Sequence, residues 1–271
     1  MVRKYILGCF ILVVLWMASP SIALADKFSR NVVVEEGTAT WCGWCVRGIY
    51  GIDRMKTAHP NDFIPICVHE DDALEAPLGY GLLETFFTSI PKCVVDRNTA
   101  YILDPTSDNL SNAYSLERNN ATARVECEGY RDPSTGEVEM YAWTEFGYDD
   151  AEADVALAFV VLEDNVGPFN QRNYYAGGGN GTMGGYENKA SYVSMKFNDV
   201  ARAIYSFTGI AGTLPSTIVK NELYYTSHLV PLPANVDDKA NVKYVVLIID
   251  RTSGQILNAA RATVMDKAEI S

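Results

Sequence analysis

The chain has 271 residues, 48% hydrophobic and 21% charged, with a formal net charge of −12 at pH 7. That apolar fraction supplies a real core, which excludes a wholly disordered chain, and the length suits one large or two ordinary domains. The acidic balance excludes a nucleic-acid backbone as the main partner, since that contact needs a basic footprint. Twenty glycines, 11 prolines and 6 cysteines exclude collagen-like and disulfide-framework chains.

Residues 1–25 read as a signal peptide. Arg3 and Lys4 precede a charge-free apolar run from Tyr5 to Met17, and Ala23-Leu24-Ala25 offers the small-x-small pattern that a signal peptidase cuts. The run is shorter than the roughly 20 residues of a bilayer span, so no transmembrane span is expected after cleavage. Cys9 lies before most of the run, which argues against a lipid-attachment site. Cleavage would leave an odd set of cysteines, Cys42, Cys45, Cys67, Cys93 and Cys127. In an oxidising compartment an odd set leaves at least one thiol free or paired outside the chain.

From residue 31 the pattern alternates. Asn31 to Glu36 is a β-branched strand, and Cys45 to His59 carries Val46, Ile49, Ile52 and Met55 at helical spacing before Pro60 ends it. Asp62 to His69 gives a second strand and Leu82 to Thr88 a short helix. Lys92 to Asp96 and Ala100 to Leu103 read as two strands joined by Arg97-Asn98-Thr99. This is an α/β layout. The polar stretch 104–119 reads as a linker with room for one helix. Beyond it, Ala121–Arg131 and Glu137–Phe146 flank a Pro- and Gly-bearing turn, Ala153–Leu162 follows, and Val242–Asp250 and Gln255–Met265 form a second hairpin. Between the hairpins, Phe197 to Tyr205 reads as a short helix carried on a loop. The expected organisation is therefore an α/β domain over 26–110, a linker over 111–120 and a mostly antiparallel β-sandwich over 121–271.

Trp41-Cys42-Gly43-Trp44-Cys45 carries the chemistry. Two cysteines three apart at a helix start bring their Cβ atoms within reach of a disulfide. The unpaired N–H groups and positive dipole end there favour thiolate, lowering such a pKa from about 8.5 to roughly 3.5–7.5. Cys42 is then the nucleophile and Cys45 the resolving thiol. A CxxC also serves as half of a zinc site or as an inert structural disulfide. Zinc would need a second paired ligand set, and Cys67, Cys93, Cys127, His59, His69 and His228 supply neither CxxC nor HxxxH, so no metal is expected.

Trp41-Cys42-Gly43-Trp44-Cys45 after a strand, with Ser89-Ile90-Pro91 before a later one, resembles the thioredoxin fold. The resemblance implies that Pro91 is a cis-proline facing the CxxC, with Ile90 beside it, and that their backbone pairs with extended substrate. It implies that Glu36 is the buried acid that exchanges a proton with the resolving cysteine. Glu35, on the other face of the strand, is a competing candidate, and no lysine stands in Ile66-Cys67-Val68 to partner the acid. Trp41 is expected to cover the disulfide and, with Trp44, to meet substrate. In a thioredoxin sheet the strands of Cys67 and Cys93 flank the central one, which leaves both thiols reduced and buried. More widely, Val34 to Gly48, Gly209 to Thr217, and Ile249 to Ala260 resemble the twenty-eight-kilodalton outer-membrane-protein family of bacterial envelopes. Its members join a thioredoxin-like domain to an immunoglobulin-like β domain.

The expected function is an exported thiol–disulfide oxidoreductase of the bacterial periplasm or outer envelope. It would need no dissociable cofactor and would exchange electrons with protein thiols or disulfides and a redox partner protein. The rival is a non-catalytic envelope binding or scaffold protein with a permanent CxxC disulfide and a tyrosine-rich β half that holds a partner. A chaperone or isomerase dimerising through the β half is a third reading. Gly179 to Gly184 matches GxGxxG but lacks the flanking strand and helix that dinucleotide binding requires. His69-Glu70-Asp71-Asp72 reads as a solvated acidic loop.

Overall fold

The computed structural model describes residues 28–76, 80–119 and 121–267. The signal-peptide expectation lies outside the described residues. In chain order the elements are β1 (Val32–Thr38), α1 (Val46–Ala58), β2 (Phe63–His69), α2 (Leu82–Phe86), β3 (Lys92–Val95), β4 (Asn98–Leu103) and α3 (Ser107–Glu117). The second half holds β5 (Ala123–Arg131), β6 (Val138–Phe146), β7 (Val155–Glu163), β8 (Val166–Arg172), β9 (Tyr192–Phe197) and β10 (Val200–Ile210). It ends with β11 (Leu223–Val230), β12 (Val242–Asp250), β13 (Ile256–Arg261) and β14 (Thr263–Asp266). The fold is rich in strand, with mixed and antiparallel sheets.

Central β1 pairs in parallel with β2 and antiparallel with β3, and β3 pairs antiparallel with β4. All seven residues of β1 are buried, because both faces of the sheet are covered. Val32 and Val34 face a cluster with Ile52 and Met55 of α1 and Leu110, Ala113 and Tyr114 of α3. Val33 faces the opposite way, as the two-residue strand period requires. The β3–β4 turn is Asp96-Arg97, both at positive φ (49° and 54°), rather than the three residues expected. That tight turn carries Arg97 into the interior.

The polar stretch after β4 is mostly helix. Thr106 caps α3 by accepting the Asn109 N–H at 3.4 Å, and Leu110, Ala113 and Tyr114 bury one face. Residues 111–117 thus belong to the packed α/β half.

Two independent units are not what the strands form. One eight-stranded sheet runs β13-β12-β7-β10-β2-β1-β3-β4. Strand β10 docks in parallel on β2 through Val200 opposite Cys67, with the Cys67 N–H donating to the Asp199 carbonyl at 2.8 Å. Residues 197–205, expected as a helix, are the end of β9, a turn with Asp199 at φ 56°, and the start of β10. The helix propensity of Ala201-Arg202-Ala203 loses to two flanking strands. The sheet also curls: Ala158, Val160, Val245, Leu247 and Ile249 share a cluster with Val33, Ile64, Ile66 and Val94. The second sheet, β11-β6-β5-β14, packs its inner residues Val125, Met140, Ala142 and Phe146 against Leu157, Phe159, Val246 and Ile248. Strands β8 and β9 form a separate ribbon.

Candidate functional site

Cys45 caps α1, and a turn holds Cys42 before it: the Cys42 N–H donates to Ala39 O at 3.2 Å and the Cys45 N–H to Cys42 O at 3.1 Å. The two are joined as a disulfide with Cα atoms 5.4 Å apart, within the range such a bond requires. Cys42 keeps 6% of its surface exposed and Cys45 none. They pack with Ala39 and Ile90, and the Ile90–Pro91 bond is cis. Cys42, Cys45 and Ile90 thus meet at one place, with Pro91 next along the chain.

Trp41 is 47% exposed, and its Nε1–H donates to the Glu70 carbonyl at 3.0 Å. Trp44, 38% exposed, sits edge-on to Tyr174 and Tyr175 with centroids 5.3 and 5.6 Å away. Arg47 lies 5.4 Å over the Trp44 ring and pairs with Asp104 at 2.7 Å.

The neighbouring acids of β1 separate sharply. Glu35, fully buried, receives a bidentate pair of 2.7 Å bonds from Arg97, so its charge is matched. Glu36, 1% exposed, faces α1, and its Oε1 has no hydrogen-bond partner. It lies between Cys67 of β2 and Cys93 of β3 in the pairing register. Burial pushes its pKa up to about 8, with Asp104 and Asp53 adding to the rise and a Cys67 hydrogen bond opposing it. A carboxyl so tuned holds a proton at neutral pH and can give it up. Cys67 and Cys93 are free and buried, as their strand positions led us to expect, and burial pushes both thiols up. They are poor nucleophiles.

Gly48 makes room for that acid. A Cβ at Gly48 would fall 1.6 Å from Glu36 Oε1, so the Glu36 carboxyl lies against the first turn of α1, one turn from Cys45. Beside it is a cavity of about 50 Å³ lined by Glu36, Thr38, Ile52, Asp53, Cys67 and Asp199, roomy enough for water. Lys56 and Lys243 both ion-pair with Asp199, tying α1, β10 and β12 at its rim.

The second half also reaches the CxxC turn. The Gln171 Nε2 donates to Cys42 O at 2.9 Å and Ala39 O at 3.4 Å. The Arg172 N–H donates to Thr40 O at 2.8 Å and the Tyr174 N–H to Gly43 O at 3.1 Å. Tyr174 lies on Gly43, where a Cβ would come within 2.5 Å of the ring. None of this contact was visible in the sequence, where residues 171–175 carry no motif. Gly48 had a readable signal: a glycine inside a helix costs about 1 kcal/mol relative to alanine and marks close approach.

Among the described residues no group of three His, Cys, Asp or Glu side chains is placed to hold a metal ion, and no helix is long and apolar enough to cross a membrane.

The fold is similar to that of HBP35 of Porphyromonas gingivalis, with a TM-score of 0.56 at 17% sequence identity over 88% of this chain and 76% of that one. Protein AGR_C_4864 from Agrobacterium tumefaciens aligns with a TM-score of 0.48 at 14% identity, over 88% of this chain and 96% of that one. A domain of the outer membrane lipoprotein Omp28 from Porphyromonas gingivalis aligns with a TM-score of 0.30 at 10% identity, over 54% and 90%. No protein-family model matches the chain, and no curated protein sequence matches it either.

Proposed function

We propose that the chain is an exported thiol–disulfide oxidoreductase of the bacterial envelope, built on a thioredoxin-like core. The observation that carries this reading is a Cys42–Cys45 disulfide at the start of α1 packed against Ile90, whose bond to Pro91 is cis. The order β2-β1-β3-β4, with β10 as the next parallel strand, supports the core. The apolar leader motif supports export.

In the exchange, a substrate thiolate attacks Cys42 Sγ, the Cys42–Cys45 bond breaks, and Cys45 leaves as a thiolate that takes the Glu36 proton. A second substrate thiolate then attacks the substrate sulfur of the mixed disulfide and releases Cys42. Two electrons pass to the cysteine pair and the substrate becomes a disulfide; the reverse sequence reduces a substrate. Ile90, Pro91, Trp41 and Trp44 line the approach. No dissociable cofactor enters, and a partner redox protein resets the pair. Insulin reduction with dithiothreitol tests the reading: wild type should outpace Cys42→Ser clearly, and equal rates would remove the claim.

The small exposure of Cys42 and Cys45 favours a second reading, a non-catalytic envelope scaffold with a structural disulfide. A potential below about −300 mV, resistant to glutathione, would fit that reading. Ready exchange with glutathione would exclude it.

A further inference from the structure

We infer that residues 171–175, with the glycine-rich loop after them, form a strap that holds the Cys42–Cys45 centre closed and must lift to admit a protein substrate. The inference rests on the exchange reaction proposed above and adds its regulation.

Attack on a disulfide runs along the line of its S–S bond, so a protein thiol needs open space beyond Cys42 Sγ. Only 6% of the Cys42 surface is exposed, which leaves little of it open to a folded partner. The strap bonds the carbonyls of the CxxC turn: Gln171 on Ala39 and Cys42, Arg172 on Thr40, Tyr174 on Gly43. Tyr174 lies flush on the one residue between the cysteines that has no side chain. Its outer end is sewn down by Asn173, whose Nδ2 donates to Tyr186 O at 2.8 Å and Ala190 O at 3.1 Å. Tyr175 and Tyr186 close on Val46 at the head of α1.

The loop beyond Tyr175 is rich in glycine. Gly177, Gly178, Gly181, Gly184 and Gly185 all have positive φ, the region glycine enters freely. A Cβ at Gly177, Gly178, Gly181 or Gly185 would meet nothing within 4 Å, and the loop is held mainly by bonds within itself, among them Gly178 N–H to Tyr175 O at 2.9 Å and Asn180 Nδ2 to Tyr174 O at 2.6 Å. The hold on the turn is a few hydrogen bonds and ring contacts, which are modest individually and reversible together. The second half of the chain thereby decides when the cysteine pair of the first half can react.

The test compares the oxidised full chain with Tyr174→Ala, following reduction of the Cys42–Cys45 bond by dithiothreitol and by reduced thioredoxin. Removing the ring should speed the reaction with thioredoxin on the order of tenfold and that with the small dithiol far less. In wild type, the Arg172 and Tyr174 amides should exchange with deuterium through local opening, well before the amides of β7. Unchanged or slower reduction of Tyr174→Ala by thioredoxin, or strap amides that exchange only with global unfolding, would overturn the strap. Inertness of both proteins to dithiothreitol would overturn the exchange reaction and the strap with it.

Discussion

At Glu35 and Glu36 one strand gives two adjacent carboxylates opposite fates. Glu35 meets the Arg97 fork that the two-residue turn carries inward, whereas Glu36 meets a glycine, two thiols and a small cavity. Its pKa near 8 has a thermodynamic consequence. Between the unfolded value of about 4.5 and the folded value of about 8, the folded chain holds a proton that the unfolded chain releases. Stability linked to Glu36 is therefore fully present below pH 4.5 and falls as pH rises through 8. The loss is at most about 5 kcal/mol. Urea unfolding of wild type and Glu36→Gln from pH 5 to 9 should diverge, the variant gaining on wild type as pH rises. Parallel curves would mean that Glu36 ionises freely. The sequence carried the cysteine pair as a local pattern, and its resemblance to the thioredoxin fold implied the cis Ile90–Pro91 bond and an acid on this strand. It left Glu35 and Glu36 as rivals, because only the β3–β4 turn decides which of them finds a cation.

At the scale of elements, β10 is the strand on which the architecture turns. Its residues 200–205 read as helix in isolation, yet they pair with β7 along one edge and touch β2 at the other. Arg202, 2% exposed, donates to Glu163 at 2.7 Å inside this pairing. Glu163 also accepts the N–H groups of Asp237 at 3.1 Å and Asp238 at 2.6 Å. Arg202→Ala would leave that carboxylate buried with its cation gone, and should destabilise the protein by about 3–5 kcal/mol in urea unfolding. A loss below about 1 kcal/mol, the range of an exposed pair, would mean that β10 does not hold the sheet together as described. Helix α3 teaches the complementary lesson. Its polar residues mask a narrow apolar face, Leu110, Ala113 and Tyr114, that becomes meaningful only against α1 and β1.

For the whole molecule, the continuous eight-stranded sheet changes what a domain boundary means. Residues 28–119 contain the Cys42–Cys45 pair, the cis Ile90–Pro91 bond and Glu36, but the face bearing Val33, Ile64, Ile66 and Val94 is covered by residues of β7, β12 and β13. Without the second half that face meets water, at about 25 cal/mol per Å² of apolar surface, and the edge of β2 loses its partner. A chain of residues 26–120 should therefore lack a cooperative urea transition, bind a hydrophobic dye and give poorly dispersed amide resonances. A sharp two-state transition would show that the α/β half is autonomous. The same coupling places Gln171 and Tyr174 on the CxxC turn, so the two halves share a site as well as a sheet.

Taken alone, the amino-acid order determined whatever depends on neighbours a few residues apart: the strands and helix around Trp41-Cys42-Gly43-Trp44-Cys45 and the hairpins of the second half. Periodicity and turn chemistry act over that range, so they are written locally. Tertiary structure alone decided that β10 joins the first sheet, that Glu35 rather than Glu36 receives Arg97, and that Tyr174 rests on Gly43. Each of these is a contact between segments distant along the chain. Their energy comes from burying surfaces that exist only once both segments are in place, and no local pattern encodes it.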